Sequence, residues 1–214
     1  MTVRDHDSGL ASETASRTPL DAEADPDLSG LVVAFLVAPE GAEERELTTP
    51  WRTVREAGGT PMLVSTVGGN VQTFHHLDRA ASHPVDEVLD NVDGAEFDAL
   101  VLPGGVANPD FLRTVGPAVA FVARFLETGR PVAAICHAPW ILIETGLIGG
   151  RRLTSWPSLR TDLLNAGATW EDGPVVVCDS GPGPLITSRK PEDLPAFDEA
   201  LIHRFAVSGP GRTS

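Results

Sequence analysis

Short, continuous apolar runs recur along the chain, and each has the length of one β-strand. Runs without polar alternation are typical of strands that are buried on both faces of a parallel sheet. We therefore predict strands at 31–38, 61–66, 97–105, 131–135, 175–180 and 184–188.

Between these runs, apolar residues return at helical spacing. The spacing predicts helices at 43–57, 116–128, 136–150 and 191–207, with a turn and a short helix at 152–167. The segment 68–93 follows neither pattern, so we expect hairpin or loop excursions there. Because strands alternate with helices, the sequence predicts one α/β domain over 30–208, with a mostly parallel sheet between layers of helices.

The chain ends differ in character from this domain. Residues 1–29 are polar and acidic and lack apolar periodicity, which predicts a disordered N-terminal tail. Residues 209–214 form a short C-terminal tail.

Charge and cysteine content narrow the class of protein. The 214 residues include 30 acidic and 16 basic side chains, a net charge of −14, which disfavours binding to nucleic acids and anionic membranes. No run of about 18 apolar residues and no signal peptide is found. Two cysteines build neither a disulfide framework nor a zinc pattern, so we expect a cytoplasmic protein.

The stretch PVAAICHAPW at 131–140 carries the strongest chemical signal. A buried strand ends at Cys136, His137 follows, and a helix is predicted to begin at once. Ligands of open α/β sheets bind at the carboxyl ends of the strands, and a helix N-terminus favours thiolate over thiol. The arrangement is typical of a nucleophile elbow with cysteine in place of serine. The alternative is a structural cysteine, since free cysteines are commonly buried.

Two other segments could complete such a site. The glycine pair in PGG, 103–105, offers unobstructed backbone N–H groups for an oxyanion hole, or else forms an ordinary turn. The carboxylate cluster EGAEERE, 40–46, follows the first strand. Most of its acids fit a solvated helix start, and one that faced the thiol would need to hold a proton.

Taken together and in this order, the motifs ICHAP, LVLPGG, EGAEEREL and LTSWPSLRTDLLNAGA resemble the ThiJ/PfpI family. The resemblance is strongest to the PfpI branch of intracellular cysteine peptidase-like and general-stress proteins, and it extends from about Leu31 to Phe205. It implies a flavodoxin-like three-layer sandwich, an enzyme without cofactor or metal, and a homodimer or homohexamer.

The resemblance also implies roles for individual residues. Cys136 would be the nucleophile and His137 its neighbour, and Glu43 would correspond to the family glutamate that hydrogen-bonds the cysteine. The backbone N–H groups of Gly105 and His137 would be the oxyanion donors. Asp110 would complete a triad across a subunit interface.

Residues expected near the pocket are Gly104, His76, Trp140 and Trp156. A metal site is not expected at His75, His76 and His83, because no cysteine or carboxylate stands at ligand spacing from them. Cys178 is expected to be a core residue in a buried strand.

Several functions remain open at this point. The family resemblance implies thiol attack on a carbonyl carbon, in a deglycase or a glutathione-independent glyoxalase that protects against stress. The substrates would be small carbonyl compounds or glycated adducts. An intracellular peptidase and a non-catalytic redox sensor or chaperone are the alternatives. A glutamine amidotransferase is disfavoured because His203 is the only histidine after His137.

Overall fold

The structure is a computed structural model that describes residues 26–208. The strands within this range are β1 (Val32–Val37), β2 (Glu40–Glu43), β3 (Thr60–Ser65), β4 (Asn70–His75), β5 (Asp78–Pro84), β6 (Glu87–Val88), β7 (Ala99–Leu102), β8 (Val132–Ile135), β9 (Arg152–Leu153), β10 (Thr169–Trp170), β11 (Val175–Cys178) and β12 (Leu185–Ser188). The α-helices are α1 (Glu44–Glu56), α2 (Ala107–Leu112), α3 (Gly116–Thr128), α4 (Pro139–Glu144), α5 (Arg160–Asn165) and α6 (Leu194–Ser208). Short 3₁₀ helices lie at Leu89–Asn91, Gly94–Glu96, Pro157–Leu159 and Pro191–Asp193.

The central sheet has the strand order β11-β12-β8-β7-β1-β3-β6. All its neighbouring strands run parallel except β11, which pairs antiparallel with β12 at one edge. The predicted apolar runs form this sheet because strands covered on both faces need apolar side chains on both. The carboxyl ends of β1, β7 and β8 lie side by side, so the segments that follow them meet at one edge.

Helices cover both faces of the sheet, which confirms the flavodoxin-like three-layer sandwich. One core cluster packs α3, α4 and α5 against the sheet through residues such as Phe125 and Leu142. The cluster on the opposite face joins α1 and α6 through residues such as Val54 and Phe197. Helix α3 occupies the predicted range, 116–128, because Gly129 ends it in the left-handed conformation at φ +76°.

The irregular segment 68–93 is a hairpin with a short continuation. Strands β4 and β5 pair antiparallel, and β4 also pairs with β2 in a second, three-stranded sheet. The turn at the tip begins at His76, a non-glycine residue at φ +56°. Because β2 directly precedes α1, the hairpin lies beside the first turn of that helix.

The domain begins earlier than predicted. Leu28 has no solvent exposure, and its N–H group donates to the carbonyl of Ala57 at 2.8 Å. Residues 26–29 therefore pack with the domain and do not belong to the tail, because one apolar side chain there fills the core. The rest of the predicted N-terminal tail, 1–25, and the C-terminal tail, 209–214, lie outside the described residues.

Candidate functional site

Cys136 occupies a sharp turn between β8 and α4. Its φ of +63° is unusual for a non-glycine residue and stores backbone strain. The surrounding backbone fixes this conformation, since the Cys136 N–H donates to Ser188 at 3.0 Å and its carbonyl accepts from Trp156 at 2.8 Å. Helix α4 begins only at Pro139, because a left-handed residue cannot start a helix. The expected helix N-terminus is therefore not directly at the thiol.

Two backbone N–H groups lie at the thiol, where the helix N-terminus was expected. The Gly105 and His137 N–H groups both hydrogen-bond the Cys136 sulfur, and each lowers the pKa of the thiol. Gly105 has φ +82°, and a Cβ atom there would overlap the carbonyl oxygen of Gly41. Glycine is required at this position for both reasons. The two predicted oxyanion donors thus lie together at the sulfur.

The carboxyl group beside the thiol belongs to Glu46, not to Glu43. Glu46 is fully buried, its Oε2 accepts the Gly104 N–H at 2.9 Å, and its side chain hydrogen-bonds Cys136. The expectation for Glu43 is therefore wrong in position. The reason is geometric, because Glu46 lies in the first turn of α1, which faces the strand ends.

Burial, reinforced by the charge of Glu43, raises the pKa of Glu46 to about 8. Glu46 consequently holds a proton at neutral pH. Its Oε1 is buried without a conventional hydrogen-bond partner among the described residues, so the proton on this carboxyl group is available to the thiol.

The Cys136 thiol and the Glu46 carboxyl group are tightly coupled. Burial and then the Glu46 charge raise the pKa of Cys136, against the effect of the two N–H donors. Once Glu46 is protonated, that charge is gone and its O–H group can donate to a thiolate. The proton on Glu46 therefore favours the reactive form of Cys136.

Glu43 ends β2 and faces the hairpin. Its Oε2 accepts the His76 N–H at 2.9 Å, and its Oε1 lies 3.6 Å from Nδ1 of His75. Glu43 therefore connects the hairpin tip to the site without a hydrogen bond to the sulfur.

The His137 ring lies between two tryptophans and next to the thiol. Its Nδ1 is 3.2 Å from the Cys136 sulfur, and both Trp140 and Trp156 place their ring centroids 5.6 Å from its own. Burial lowers the pKa of His137 to about 4, so the ring is neutral at pH 7 and can accept a proton. Trp140 is itself held by Asp162, which accepts its Nε1–H at 2.9 Å.

A cavity of about 280 Å³ opens onto these groups. It is lined by Glu43, Glu46, His76, Leu77, Gly105, Val106, Cys136, His137, Trp156 and Pro191. Two of the four residues predicted near the pocket, Gly104 and Trp140, are not among them. Gly104 is packed between Glu46 and Cys136, and Trp140 packs against His137 from α4.

Other candidate residues lie away from the cavity of the same subunit. Asp110 is exposed on α2 and does not line the cavity. His203 is exposed on α6, which gives no support to an amidotransferase triad. Within residues 26–208, no group of three or more histidine, cysteine or acidic side chains could hold a metal ion.

Comparison with known proteins assigns the chain to a family. The sequence profile described as DJ-1/PfpI family matches residues 32–204. The chain belongs to the DJ-1/PfpI family.

Relatives within this family have named activities and solved structures. Protein/nucleic acid deglycase 2 of Escherichia coli is 42% identical over 170 residues, which cover 79% of this chain and 95% of the relative. General stress protein 18 of Bacillus subtilis is 39% identical over 160 residues, with 75% and 90% covered. The crystal structure of Drosophila melanogaster DJ-1beta superposes with a TM-score of 0.71 at 30% identity, covering 82% of this chain and 90% of that one. The resemblance to the PfpI branch is thereby confirmed.

Sequence reasoning missed four residues of this DJ-1/PfpI site, which are Glu46, Leu77, Val106 and Pro191. Glu46 was within the recognised carboxylate cluster, but nothing in the sequence ranked it above Glu43. Leu77 and Pro191 reach the cavity from distant segments that carry no motif.

No helix in the described part of the chain is long and apolar enough to span a membrane.

Proposed function

We propose that this chain is a cysteine-dependent deglycase that removes methylglyoxal from adducts, with Cys136 as nucleophile. The observation that carries the proposal is the elbow itself, a strained, buried cysteine that receives two N–H donors and faces a protonated Glu46. The names of its relatives support the same chemistry. The cavity of about 280 Å³ suits a small adduct better than an extended peptide.

The first step exchanges one bond at the former aldehyde carbon of the adduct. The Cys136 sulfur bonds to this carbon, the carbon–nitrogen bond breaks, and the departing amine takes the proton of Glu46. The thiol proton passes to Nδ1 of His137, 3.2 Å away. The N–H groups of Gly105 and His137 stabilise the negative charge that develops next to them.

The later steps need no external oxidant. Glu46, now a carboxylate, takes the proton from the sulfur-bearing carbon and returns it to the neighbouring carbonyl carbon. The hydroxyl proton of the first carbon passes to the oxygen of the second. The first carbon is thereby oxidised to a thioester and the second is reduced to an alcohol. Water then hydrolyses the thioester, which releases lactate and restores the thiol. His137 returns its proton to Glu46, so that both groups regain their starting states.

We also propose that the site is completed in an oligomer. Among the described residues of one subunit, no carboxylate hydrogen-bonds the His137 ring, whereas Asp110 is exposed and available to a second copy. A molar-mass measurement on wild type and Asp110→Asn, combined with their rates, tests this arrangement. An active monomer would contradict it.

The test of the function is lactate release from methylglyoxal and its adduct with Nα-acetyllysine, without glutathione. We expect Cys136→Ser to abolish release and Glu46→Gln to reduce it about 10²- to 10⁴-fold, the usual size of an acid–base contribution. Cys178→Ser is the matched control and should retain activity. Undiminished release by Cys136→Ser would overturn the proposal.

A further inference from the structure

The carboxyl, lysine and arginine side chains that line the catalytic cavity are all of one kind. Two carboxyl side chains, Glu43 and Glu46, line it, and among the described residues no lysine or arginine does. Glu46, whose pKa is raised to about 8, is protonated at neutral pH, so Glu43 provides the fixed charge. Its partners are the backbone N–H of His76 and the imidazole of His75, neither of which is a permanent cation.

The other charged groups at the rim do not compensate Glu43. Glu192 follows Pro191 at the cavity edge, and its charge reaches far enough to raise the pKa of Glu46. Lys190 lies 4.0 Å from the Glu192 carboxylate, so these two charges largely cancel each other. A ligand in the cavity therefore meets a net negative potential that originates mainly from Glu43.

An aromatic surface lies in the same cavity. Trp156 stacks on His137 with an interplanar angle of 23°, yet 36% of the residue remains exposed. Indole is the best aromatic partner for a cation. A carboxylate and an indole in one small cavity form a recognition site for a flat, delocalised cation.

We propose that the cavity selects adducts with a positive charge close to the reacting carbon, glycated guanidinium groups above all, and rejects adducts with phosphate or carboxylate groups. The inference rests on the proposed function and narrows its substrate class. A guanidinium can donate two parallel hydrogen bonds to Glu43 and stack on Trp156, which an ammonium cannot do equally well. An anionic group in the same place would lie against Glu43 without a cation to offset the repulsion.

The experiment varies substrate charge while the reacting group stays constant. Methylglyoxal is converted to hemithioacetals with excess 2-(dimethylamino)ethanethiol, N-acetylcysteamine or 3-mercaptopropionate, which are cationic, neutral and anionic at pH 7. In each, the Cys136 sulfur bonds to the same carbon, the bond to the outgoing thiol breaks, and that thiol takes the Glu46 proton. Lactate release gives kcat/KM for the three.

We expect kcat/KM to fall from the cationic through the neutral to the anionic adduct, by at least about tenfold overall. Glu43→Gln should remove most of this ratio. Glu40→Gln removes the same charge at an exposed site outside the cavity and should preserve the ratio, which separates local recognition from the general effect of the net charge of −14. Because the readout is a ratio within each variant, it is independent of differences in overall rate.

Salt provides a second measurement on the unmodified protein. Raising the ionic strength to 1 M shortens the Debye length to about 3 Å, so the ratio should shrink. Equal kcat/KM values for the three adducts would overturn the charge selection and leave the deglycase proposal intact. No lactate from any adduct would overturn the deglycase proposal itself, and the inference with it.

Discussion

Glu46 should make the stability of the fold depend on pH in a range where few groups titrate. The folded pKa of about 8 compares with an ordinary value of 4.5, so the folded state binds one more proton than the unfolded state between these values. Stability from this group is therefore fully present below pH 4.5 and is lost as pH rises through about 8. At 1.36 kcal/mol for each pH unit, the total is about 5 kcal/mol.

Glu46→Gln removes this titration and keeps an oxygen that can accept the Gly104 N–H. The window from pH 6.5 to 8 isolates the effect in the difference between the two proteins. His137, with its pKa lowered to about 4, and Asp198, with its pKa raised to about 6, titrate mainly below it. Cys178, with its pKa lowered to about 7, titrates in both proteins, so its contribution cancels. Across this window wild type should lose about 1.5 kcal/mol relative to the variant.

Urea unfolding at fixed protein concentration, repeated at several pH values, measures the difference. Glu127→Gln is the control, since it removes an exposed carboxylate on α3. A difference between wild type and Glu46→Gln that stays constant from pH 6.5 to 8 would refute the buried, protonated carboxyl group.

Three further predictions concern neighbouring features. Gly105→Ala should lower the unfolding free energy by about 1–3 kcal/mol, because of backbone strain and overlap with Gly41, and should abolish lactate release. Gly149→Ala has open space around it and should show neither effect. Trp140→Ala should expose His137 and raise its pKa from about 4 towards 6.5, so the acidic limb of the rate profile should move to higher pH; an unmoved limb would contradict this positioning role. Burial opposes ionisation of Cys178, but hydrogen bonds from Ser180, Arg151 and the Arg152 N–H lower its pKa to about 7. The thiolate absorbance at 240 nm, measured in Cys136→Ser, should therefore rise with a midpoint near pH 7. A midpoint above pH 9 would disprove this prediction.

The main layers of the fold were predictable because their signals are local. Helix α1 is signalled by apolar periodicity up to Gly58, and its observed bounds, Glu44–Glu56, lie within the predicted range 43–57. Strand β8 is apolar throughout because both of its faces are covered. The hairpin of β4 and β5 was not predicted from the sequence because every residue of β5 is exposed or half-buried, so the strand lacks an apolar signal.

The polar groups around Cys178 could not be predicted from the sequence, for a related reason. The residue is buried in β11, as expected, but its sulfur accepts a hydrogen bond from the guanidinium of Arg151, which is itself only 4% exposed. Arg151 directly precedes β9 and reaches the last residue of β11, a contact that depends on tertiary packing. Sequence patterns show that a strand is buried, but they do not show which polar group from another segment accompanies it.

The acidic segment after β1 shows most clearly what the sequence left undecided. Three neighbouring glutamates have different partners. Glu44 hydrogen-bonds Thr73 and His83 and so holds the hairpin in place. Glu43 hydrogen-bonds the hairpin tip, and Glu46 hydrogen-bonds the thiol. The backbone changes from strand to helix between Glu43 and Glu44, so each side chain leaves in a different direction.

This arrangement links substrate charge to the proton at the thiol. The charge of Glu43 helps to keep Glu46 protonated. A cationic group bound beside Glu43 would offset that charge and lower the pKa of Glu46, so the carboxyl group would give up its proton more readily once substrate is present. In the proposed mechanism, transfer to the leaving group is the step that requires this proton. A cation at Glu43 would therefore assist the chemistry as well as the binding, and part of the selectivity among the three hemithioacetals should be found in kcat rather than in KM.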